Sequence, residues 1–307
     1  MTEIRVGTCS WADQSLVKHW YPRGVRSSED RLRYYAEHFD AVEIDSTFYR
    51  LPEEENAVKW AERTPNGFVF HVKAFGVMTR HPVRLEQLPP DLREGVPTDE
   101  RGRVDRPPRE LRAEVFRRFL AALEPLGAAG KLGGILLQFP PYVVFREASF
   151  DYLRWACGEL AGHDVLVEFR HRSWLEDENR AETLALLEEL AATHVIVDAP
   201  KTQARNLVPT VLARTSPLLY VRFHGRNART WNIRGKSAAE RFDYLYSESE
   251  LAEWAGSLRE LAKDARQAFA LFNNNGRSPQ GDGGWIAQAP VNALMLKRML
   301  ESDGTDG

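Results

Sequence analysis

The chain has 307 residues, of which 43% are hydrophobic and 28% are charged, so it can bury a large core. This size favours one compact domain of α/β-barrel dimensions over two unrelated domains. The formal net charge of -3 gives no overall attraction to polyanions, so any nucleic-acid site has to be a local patch.

We expect a soluble protein, because no apolar run reaches membrane-spanning length and no signal peptide opens the chain. Two cysteines, Cys9 and Cys157, are too few for a disulfide framework. Reduced cysteines are typical of the cytoplasm, so we expect a cytoplasmic protein with no membrane partner.

Short apolar runs alternate with segments of helical periodicity along the whole chain. The predicted strands cover residues 4–9, 41–44, 68–73, 135–138, 166–170, 195–198, 218–224 and 267–272. The predicted helices cover residues 27–39, 54–63, 110–126, 149–160 and 181–192, with one more starting after a capping box at Ser247 and Glu250 and a last one that includes 292–300. This alternation predicts an α/β fold, a (β/α)8 barrel of the TIM type with an eight-stranded parallel core. A doubly wound open sheet is the alternative.

The predicted domain covers residues 1–300, and residues 301–307 are expected to form a flexible tail. Within the domain, residues 86–109 form a long segment rich in proline and charge. Such a segment is either a lid over a site or a disordered insertion, and its composition favours the insertion.

The second predicted strand places polar side chains in an unusual position. Because side chains alternate along a strand, Glu43 and Asp45 share one face while Val42 and Ile44 share the other. A parallel strand is covered by helices on its outer face, so both carboxylates are predicted to point into the barrel.

The same parity rule predicts a polar interior where a barrel normally has branched apolar residues. The inward set is Glu43, Asp45, His71, Lys73, Gln138, Glu168, Arg170, Asp198, Arg222, His224 and Asn273. Most of these residues end their strands, and barrel enzymes carry their active sites at that end. Buried charges are costly unless paired, so the cluster indicates a functional site, with a paired structural network as the alternative.

The loop after the seventh strand is basic. Residues 224–236 carry Arg226, Arg229, Arg234 and Lys236 around Trp231 with no acidic residue, a composition that suits phosphates and stacked bases. A solvated loop with the tryptophan packed on the barrel rim is the alternative. Further aromatic residues just past strand ends predict an aromatic mouth: Trp11, Trp20, Tyr21, Tyr49 and Trp174.

Several long motifs resemble one family. They are GTCSW at 7–11, YYAEHFDAVEIDSTFYRLP at 34–52, ERTPNGFVFHVK at 62–73, LLQFPP at 136–141, VEFRHRSW at 167–174, YVRFHGR at 220–226 and FNNN at 272–275. In this order and over nearly the whole chain, the sequence resembles the YecE-like family, catalogued as domain of unknown function 72. The resemblance implies a (β/α)8 barrel and no established activity.

The cluster suggests acid–base chemistry near bound anions. Glu43 and Glu168 lie on strands two and five, roughly across a barrel, where they can serve as general acid and base, with His71, His224 and Asp198 as further catalytic candidates.

The predicted substrate-binding residues are drawn from the cationic, amide and aromatic side chains. They are Lys73, Arg170, Arg222, Asn273, Gln138, Arg226, Trp231, Trp11 and Tyr49. Lys73, Arg170 and Arg222 can neutralise a phosphate or carboxylate, although pairing of the arginines with the carboxylates is the alternative.

A metal site is not favoured. The histidines His71 and His224, with Glu43, Glu168 and Asp198, could form a mixed nitrogen and oxygen site for a divalent metal, but no HxH or HExxH spacing is present. The sequence therefore names no cofactor.

Three functions remain open at this stage. The first is an enzyme that acts on a phosphate-bearing small molecule or on single-stranded nucleic acid, for example a phosphodiesterase-like or nuclease-like hydrolase. The second is a carbohydrate-active enzyme that uses Glu43 and Glu168, since facing carboxylates also serve glycosidases. The third is a binding or regulatory barrel without turnover.

Overall fold

The computed structural model describes residues 2–233, 238–281 and 283–302. Eight parallel strands close into a barrel in chain order, with β1 pairing to both β2 and β8. The strands are β1 Ile4–Thr8, β2 Ala41–Ile44, β3 Val69–Lys73, β4 Leu132–Gln138, β5 Val165–Glu168, β6 Thr193–Asp198, β7 Leu218–Phe223 and β8 Gln267–Phe272. The predicted (β/α)8 barrel is confirmed, and the open-sheet alternative is wrong.

Helices cover the outside of the barrel. They are α1 Gln14–His19, α2 Ser28–Ala36, α3 Glu54–Glu62, α4 Arg109–Ala128, α5 Glu147–Glu159, α6 Arg180–Glu189, α7 Ala238–Arg241, α8 Glu248–Ala262 and α9 Gln288–Ser302. The predicted capping box at Ser247 and Glu250 begins α8, and Ser27 forms a second one with Asp30 at the start of α2. Each box satisfies backbone N–H groups that a helix start leaves without partners.

Two short helices and one pair of short strands were not predicted from the sequence. Helices α1 and α7 have six and four residues, too few to show helical periodicity. Strands β9 Arg277–Pro279 and β10 Trp285–Ala287 form an antiparallel pair outside the barrel. The predicted tail starts inside α9, since Glu301 and Ser302 are helical, and residues 303–307 lie outside the described part of the chain.

The barrel interior is polar only toward the carboxyl ends of the strands. Below that level the interior holds apolar side chains that precede the polar ones by two residues, Ala41, Val69, Leu136, Leu166, Tyr220 and Leu271 among them, and Phe269 lies two residues before Leu271. The expectation that apolar residues do not layer this interior is therefore wrong for its amino half. This apolar floor excludes water from beneath the polar cluster and strengthens its electrostatic interactions.

Residues 86–109 are folded against the barrel, so the expectation of a disordered insertion is wrong. Leu88 and Val104 are buried, Thr98 pairs with Val104 in an antiparallel bridge, and Arg103 forms an ion pair of 2.6 Å with Asp99. Charge and proline content suggested disorder, but these few apolar anchors hold the segment. None of its residues lines the cavity at the barrel mouth, so it is not a lid over that cavity.

Two further expectations concern the compartment. In the described part of the chain no helix is both long and apolar enough to cross a membrane. Cys9 and Cys157 are buried free thiols. The cytoplasmic location stays a prediction.

Gly7 in β1 provides a test of barrel closure. A Cβ at this position would lie 2.1 Å from the carbonyl oxygen of Ala41 on β2, so Gly7→Ala forces the two strands apart. We expect a loss of about 2–3 kcal/mol in the free energy of unfolding, measured by urea denaturation. The matched control is Gly158→Ala in α5, where open space surrounds the added methyl group and where alanine is the better helix former. Equal stability of the two variants would contradict the strand packing described here.

Candidate active site at the carboxyl end of the barrel

A single buried arginine connects two strands across the barrel. Arg222 on β7 is only 1% exposed; its Nη2 donates to Glu43 Oε1 at 2.7 Å, and its Nη1 donates to Glu168 Oε2. Tyr220 Oη donates to the second oxygen of Glu43 at 3.0 Å. The guanidinium group therefore neutralises part of the charge on both carboxylates and fixes their positions.

Glu168 has the most donors. Gln138 Nε2 donates to its Oε1 at 2.8 Å, Arg170 Nε lies 2.5 Å from the same oxygen, and His224 Nε2 lies 3.2 Å from it. Burial by itself would raise the pKa of Glu168, but the charges of Arg170 and Arg222 hold this pKa well below its usual range. Glu168 is therefore a permanent anion that orients its neighbours, and it is a poor general acid.

His224 is neutral and has one defined tautomer. Burial and then the charge of Arg170 lower its pKa to about 3. The side-chain amide of Asn273 donates to its Nδ1 at 2.9 Å, and the amide of Asn275 donates to the oxygen of Asn273 at 3.3 Å. With Nδ1 as acceptor, the remaining N–H at Nε2 donates to Glu168. His224 thus orients Glu168 and does not exchange protons near neutral pH.

A cavity of about 700 Å³ opens above this cluster, a size typical of small-molecule sites. Its polar wall includes Asp45, Lys73, His81, Gln138, Arg170, Asn206, Arg222, Asn232, Arg241 and Asn273. Its aromatic wall consists of Phe48, Tyr49, Trp231 and Phe242. We call this space the mouth cavity. Among the described residues, four cationic side chains and one carboxylate line it, so their summed formal charge is positive.

Lys73 is a cation of the mouth cavity that has no described carboxylate partner. Its ammonium group lies 4.5 Å from the ring centroid of Phe48, and no described carboxylate lies within ion-pair distance of it. Burial, and then the charge of Arg222, lower its pKa to about 8. The ammonium group is thus partly desolvated and has no described counter-ion.

Asp45 is the carboxylate that faces the same space. Burial raises its pKa to about 6; the charge of Lys73 opposes this rise, and the charge of Glu43 adds to it. A carboxyl group with this pKa exchanges protons near neutral pH, as a general base or acid does. Strand parity predicted that Asp45 points into the barrel, but the sequence analysis named Glu43 and Glu168, and not Asp45, as the acid–base residues.

Arg170 joins the two walls of the cavity. Its guanidinium carbon lies 5.5 Å from the ring centroid of Trp231 and 5.9 Å from that of Phe242. Trp231 is only 7% exposed, and it also packs against His224. The tryptophan therefore supports the arginine at the cavity wall, which agrees with rim packing better than with an open stacking platform.

Four predicted site residues lie away from the mouth cavity: His71, Trp11, Asp198 and Arg226. His71 sits two residues below Lys73 on β3 among Tyr220 and Phe269, at ring-centroid distances of 4.7 and 4.3 Å. Burial lowers its pKa to about 3. Trp11 packs edge-to-face against Trp60 and Phe70 on the outside of the barrel, so its predicted place at the mouth is wrong.

Asp198 is the third, and its predicted inward orientation is wrong. Val195 and Val197 occupy the interior on β6, so Asp198 points toward the helices. There it pairs with Arg226 at 2.9 Å, and Arg226 also binds Glu250 at 3.0 Å. Both residues line a separate cavity, and neither lines the mouth cavity.

The predicted basic groove is only partly described. Arg226 is neutralised by two carboxylates, and Arg229 is exposed and does not line the mouth cavity. Arg234 and Lys236 lie outside the described residues. Within the described part of this loop, the basic residues therefore do not form the continuous surface that the sequence suggested.

Sequence reasoning missed His81, Arg241, Phe48 and Phe242. Each lies in a loop or short helix past a strand end, where neither strand parity nor helical periodicity applies. The available signal was their position just beyond β2, β3 and β7, since such loops overhang the active-site end of a barrel.

A metal centre has little support in this arrangement. Within the described ranges no three histidine, cysteine, aspartate or glutamate side chains come together as ligands would. Of the predicted ligands, Glu43 and Glu168 are bound to Arg222, while His71 and Asp198 lie elsewhere. The donor set of the cluster therefore suits anions better than a cation.

Several known proteins are similar to this chain in sequence. A family model described as "Protein of unknown function DUF72" matches residues 5–306. The chain belongs to the DUF72 family. The protein YunF of Bacillus subtilis is 33% identical over 285 residues, which is 92% of each chain. YecE of Escherichia coli K12 is 26% identical over 248 residues, covering 75% of this chain and 76% of YecE. The resemblance to YecE-like proteins is thereby confirmed.

Solved DUF72 structures have the same fold. A protein from Thermotoga maritima has a TM-score of 0.73 and 31% identity, covering 97% of this chain and 99% of its own. A protein from Enterococcus faecalis has a TM-score of 0.76 and 24% identity, covering 97% and 95%. The names of these four DUF72 relatives state no activity, so function has to be argued from the site.

Removal of the Arg222 side chain tests the charge cluster. Arg222→Met leaves Glu43 and Glu168 buried without their shared cation, so we expect a loss of about 3–5 kcal/mol in the free energy of unfolding, measured by chemical denaturation. Arg117→Met, which removes an exposed arginine on α4, is the control and should leave the midpoint unchanged. A similar small effect of both substitutions would show that Arg222 does not hold the cluster together.

Proposed function

We propose that this DUF72 protein binds a phosphate-bearing substrate, a nucleotide or nucleic acid, in the mouth cavity and hydrolyses its phosphoester bond. The observation that carries the proposal is the ammonium group of Lys73, which faces the mouth cavity and has no described carboxylate partner. The guanidinium group of Arg170, which is paired with Glu168, lines the same cavity. Cations that a structure leaves unpaired next to a cavity stabilise an anionic ligand.

The mouth cavity also suits the rest of a nucleotide. Phe48, Tyr49, Trp231 and Phe242 line it opposite the cations, and aromatic side chains favour bases and sugar rings. Tyr49 is 60% exposed and therefore accessible to a ligand at the rim. Amide groups of Gln138 and Asn273 line the floor, where they can donate to phosphate oxygens.

In this proposal Asp45 is the general base and Lys73 provides positive charge. Asp45, with its pKa raised to about 6, accepts a proton from the attacking water, and the new bond forms between that oxygen and phosphorus. Lys73 stabilises the negative charge that develops on the phosphate oxygens. The bond between phosphorus and the leaving oxygen breaks, and that oxygen keeps the electron pair and takes a proton from solvent. Glu43 and Glu168 hold Arg222 in place, and Glu168 also holds Arg170.

The carbohydrate-active alternative has less support. A glycosidase needs one carboxyl group that can be protonated and space for a sugar between its two carboxyl groups. Here Arg222 occupies the position between Glu43 and Glu168 and binds both. The low pKa of Glu168 also removes the proton that a general acid has to deliver.

Calorimetry with thymidine 5′-monophosphate and with thymidine tests binding. We expect the phosphorylated ligand to bind at least tenfold more tightly, and we expect Lys73→Met to remove that difference because it removes the unpaired cation. Lys59→Met on α3 is the control, since Lys59 is exposed and paired with Glu55 at 2.6 Å. Equal binding of nucleoside and nucleotide would contradict the anion site.

Turnover of thymidine 5′-(p-nitrophenyl phosphate) tests the chemistry. The rate should rise with pH through about 6 as Asp45 ionises, and it should fall above about 8 as Lys73 loses its charge. Asp45→Asn should bind thymidine 5′-monophosphate normally and lose turnover. Nucleotide binding without any turnover in the unmodified protein would contradict the enzyme and would leave a binding barrel.

A further inference from the structure

A second, smaller cavity lies beside the mouth cavity. It has a volume of about 370 Å³, and the arginines that line it are Arg80, Arg103, Arg106 and Arg112. We call it the arginine cavity. Asp99 and Asp105 also line it, but Asp99 forms an ion pair of 2.6 Å with Arg103, so these two charges neutralise each other. The remaining charges are three arginines and the carboxylate of Asp105.

These three arginines have no carboxylate partner among the described residues. Arg80 and Arg112 instead lie over the ring of Tyr152, with guanidinium carbons 5.1 and 5.7 Å from its centroid. Nε of Arg112 is buried without a hydrogen-bond acceptor. Burial and the charge of Arg80 lower the pKa of Arg112, as expected for cations held together without an anion.

The backbone at Arg80 adds an independent observation. Arg80 ends a 3₁₀ turn, Gly76–Thr79, in the left-handed region with φ of 64°. Glycine or asparagine is the usual residue at such a position, because a larger side chain there is strained. An arginine at this position costs stability, and the hydrogen bond from Tyr142 Oη to its carbonyl oxygen at 2.6 Å helps to hold it.

One imidazole ring separates the two cavities. His81 lines both of them, and its Nδ1 lies 2.8 Å from Thr79 Oγ1. That hydroxyl donates to the carbonyl oxygen of Gly76, so it accepts from Nδ1, and Nε2 carries no proton. Burial and the charge of Lys73 lower the pKa of His81 to about 3, so a neutral ring forms the wall between two cationic sites.

We propose that the arginine cavity holds a second phosphate of the substrate, so that the substrate is a single-stranded nucleic acid whose successive phosphates occupy the two cavities. This inference rests on the proposed function of the mouth cavity. Repeating phosphates along one strand match two cationic cavities separated by the width of one side chain, whereas a mononucleotide uses only the first. The strand then leaves the mouth past Arg80 and Tyr142, on the side opposite to the basic loop that the sequence suggested.

Three probes test the second phosphate site by calorimetry: thymidine 5′-monophosphate, thymidine 3′,5′-bisphosphate and the trinucleotide of thymidine with a 5′-phosphate. We expect the bisphosphate to bind at least tenfold more tightly than the monophosphate, and the trinucleotide to bind at least as tightly as the bisphosphate. The variant with Arg80→Asn and Arg112→Gln should bind all three probes with the affinity of the monophosphate. Asparagine tolerates the left-handed backbone, and a melting curve shows that the variant is folded.

Salt dependence provides a second readout on the same variant. Loss of one phosphate contact should make the slope of log affinity against log salt for the trinucleotide shallower by about 0.7. Arg117→Gln is the matched control, because this arginine lies on the same helix as Arg112 but faces solvent and pairs with Glu114. It should change neither the affinities nor the slope.

The possible failures are distinguishable. No binding of the monophosphate overturns the proposed function itself. Normal binding of the monophosphate with no gain from a second phosphate overturns only the arginine cavity. Tighter binding of the bisphosphate without binding of the trinucleotide also overturns the proposal, since the ligand is then a small bisphosphate and not a strand.

Discussion

The double ion pair of Arg222 is the constraint on which the site depends. Two buried carboxylates from β2 and β5 would repel each other in a dry interior, and the guanidinium group between them removes that repulsion. Because Glu43 and Glu168 are satisfied by Arg222 and its neighbours, they do not reach Lys73. The arrangement therefore holds its anions in the core and presents cations to the cavity above.

The barrel makes this arrangement possible. Parallel strands of similar length bring their carboxyl ends to one level, and the apolar side chains two residues earlier on the same strands exclude water from below. Loops that follow the strands add the aromatic wall of the mouth cavity and the shared wall with the arginine cavity. The fold determines the positions of the charged side chains, and the loops determine the shape of the cavities. The family fold alone therefore does not assign an activity.

Strand parity predicted most of the cluster, because the second, third and seventh strands show clear alternation that places Glu43 and Lys73 inside. It failed for Asp198, since β6 is apolar on both faces and its periodicity does not tell inside from outside. His81 was missed because loop residues have no periodicity. Composition alone also cannot show how Trp231 packs. A tryptophan among basic residues can be exposed for stacking with a base, or it can be buried against an arginine, as Trp231 is against Arg170.

The most direct test of the account is a crystal structure of the protein soaked with inorganic phosphate. We expect phosphate in the mouth cavity, held by Lys73 and Arg170, while Arg222 still bridges Glu43 and Glu168. A mouth cavity without phosphate at high phosphate concentration, or an Arg222 side chain turned away from the two carboxylates to bind the phosphate, would contradict the account.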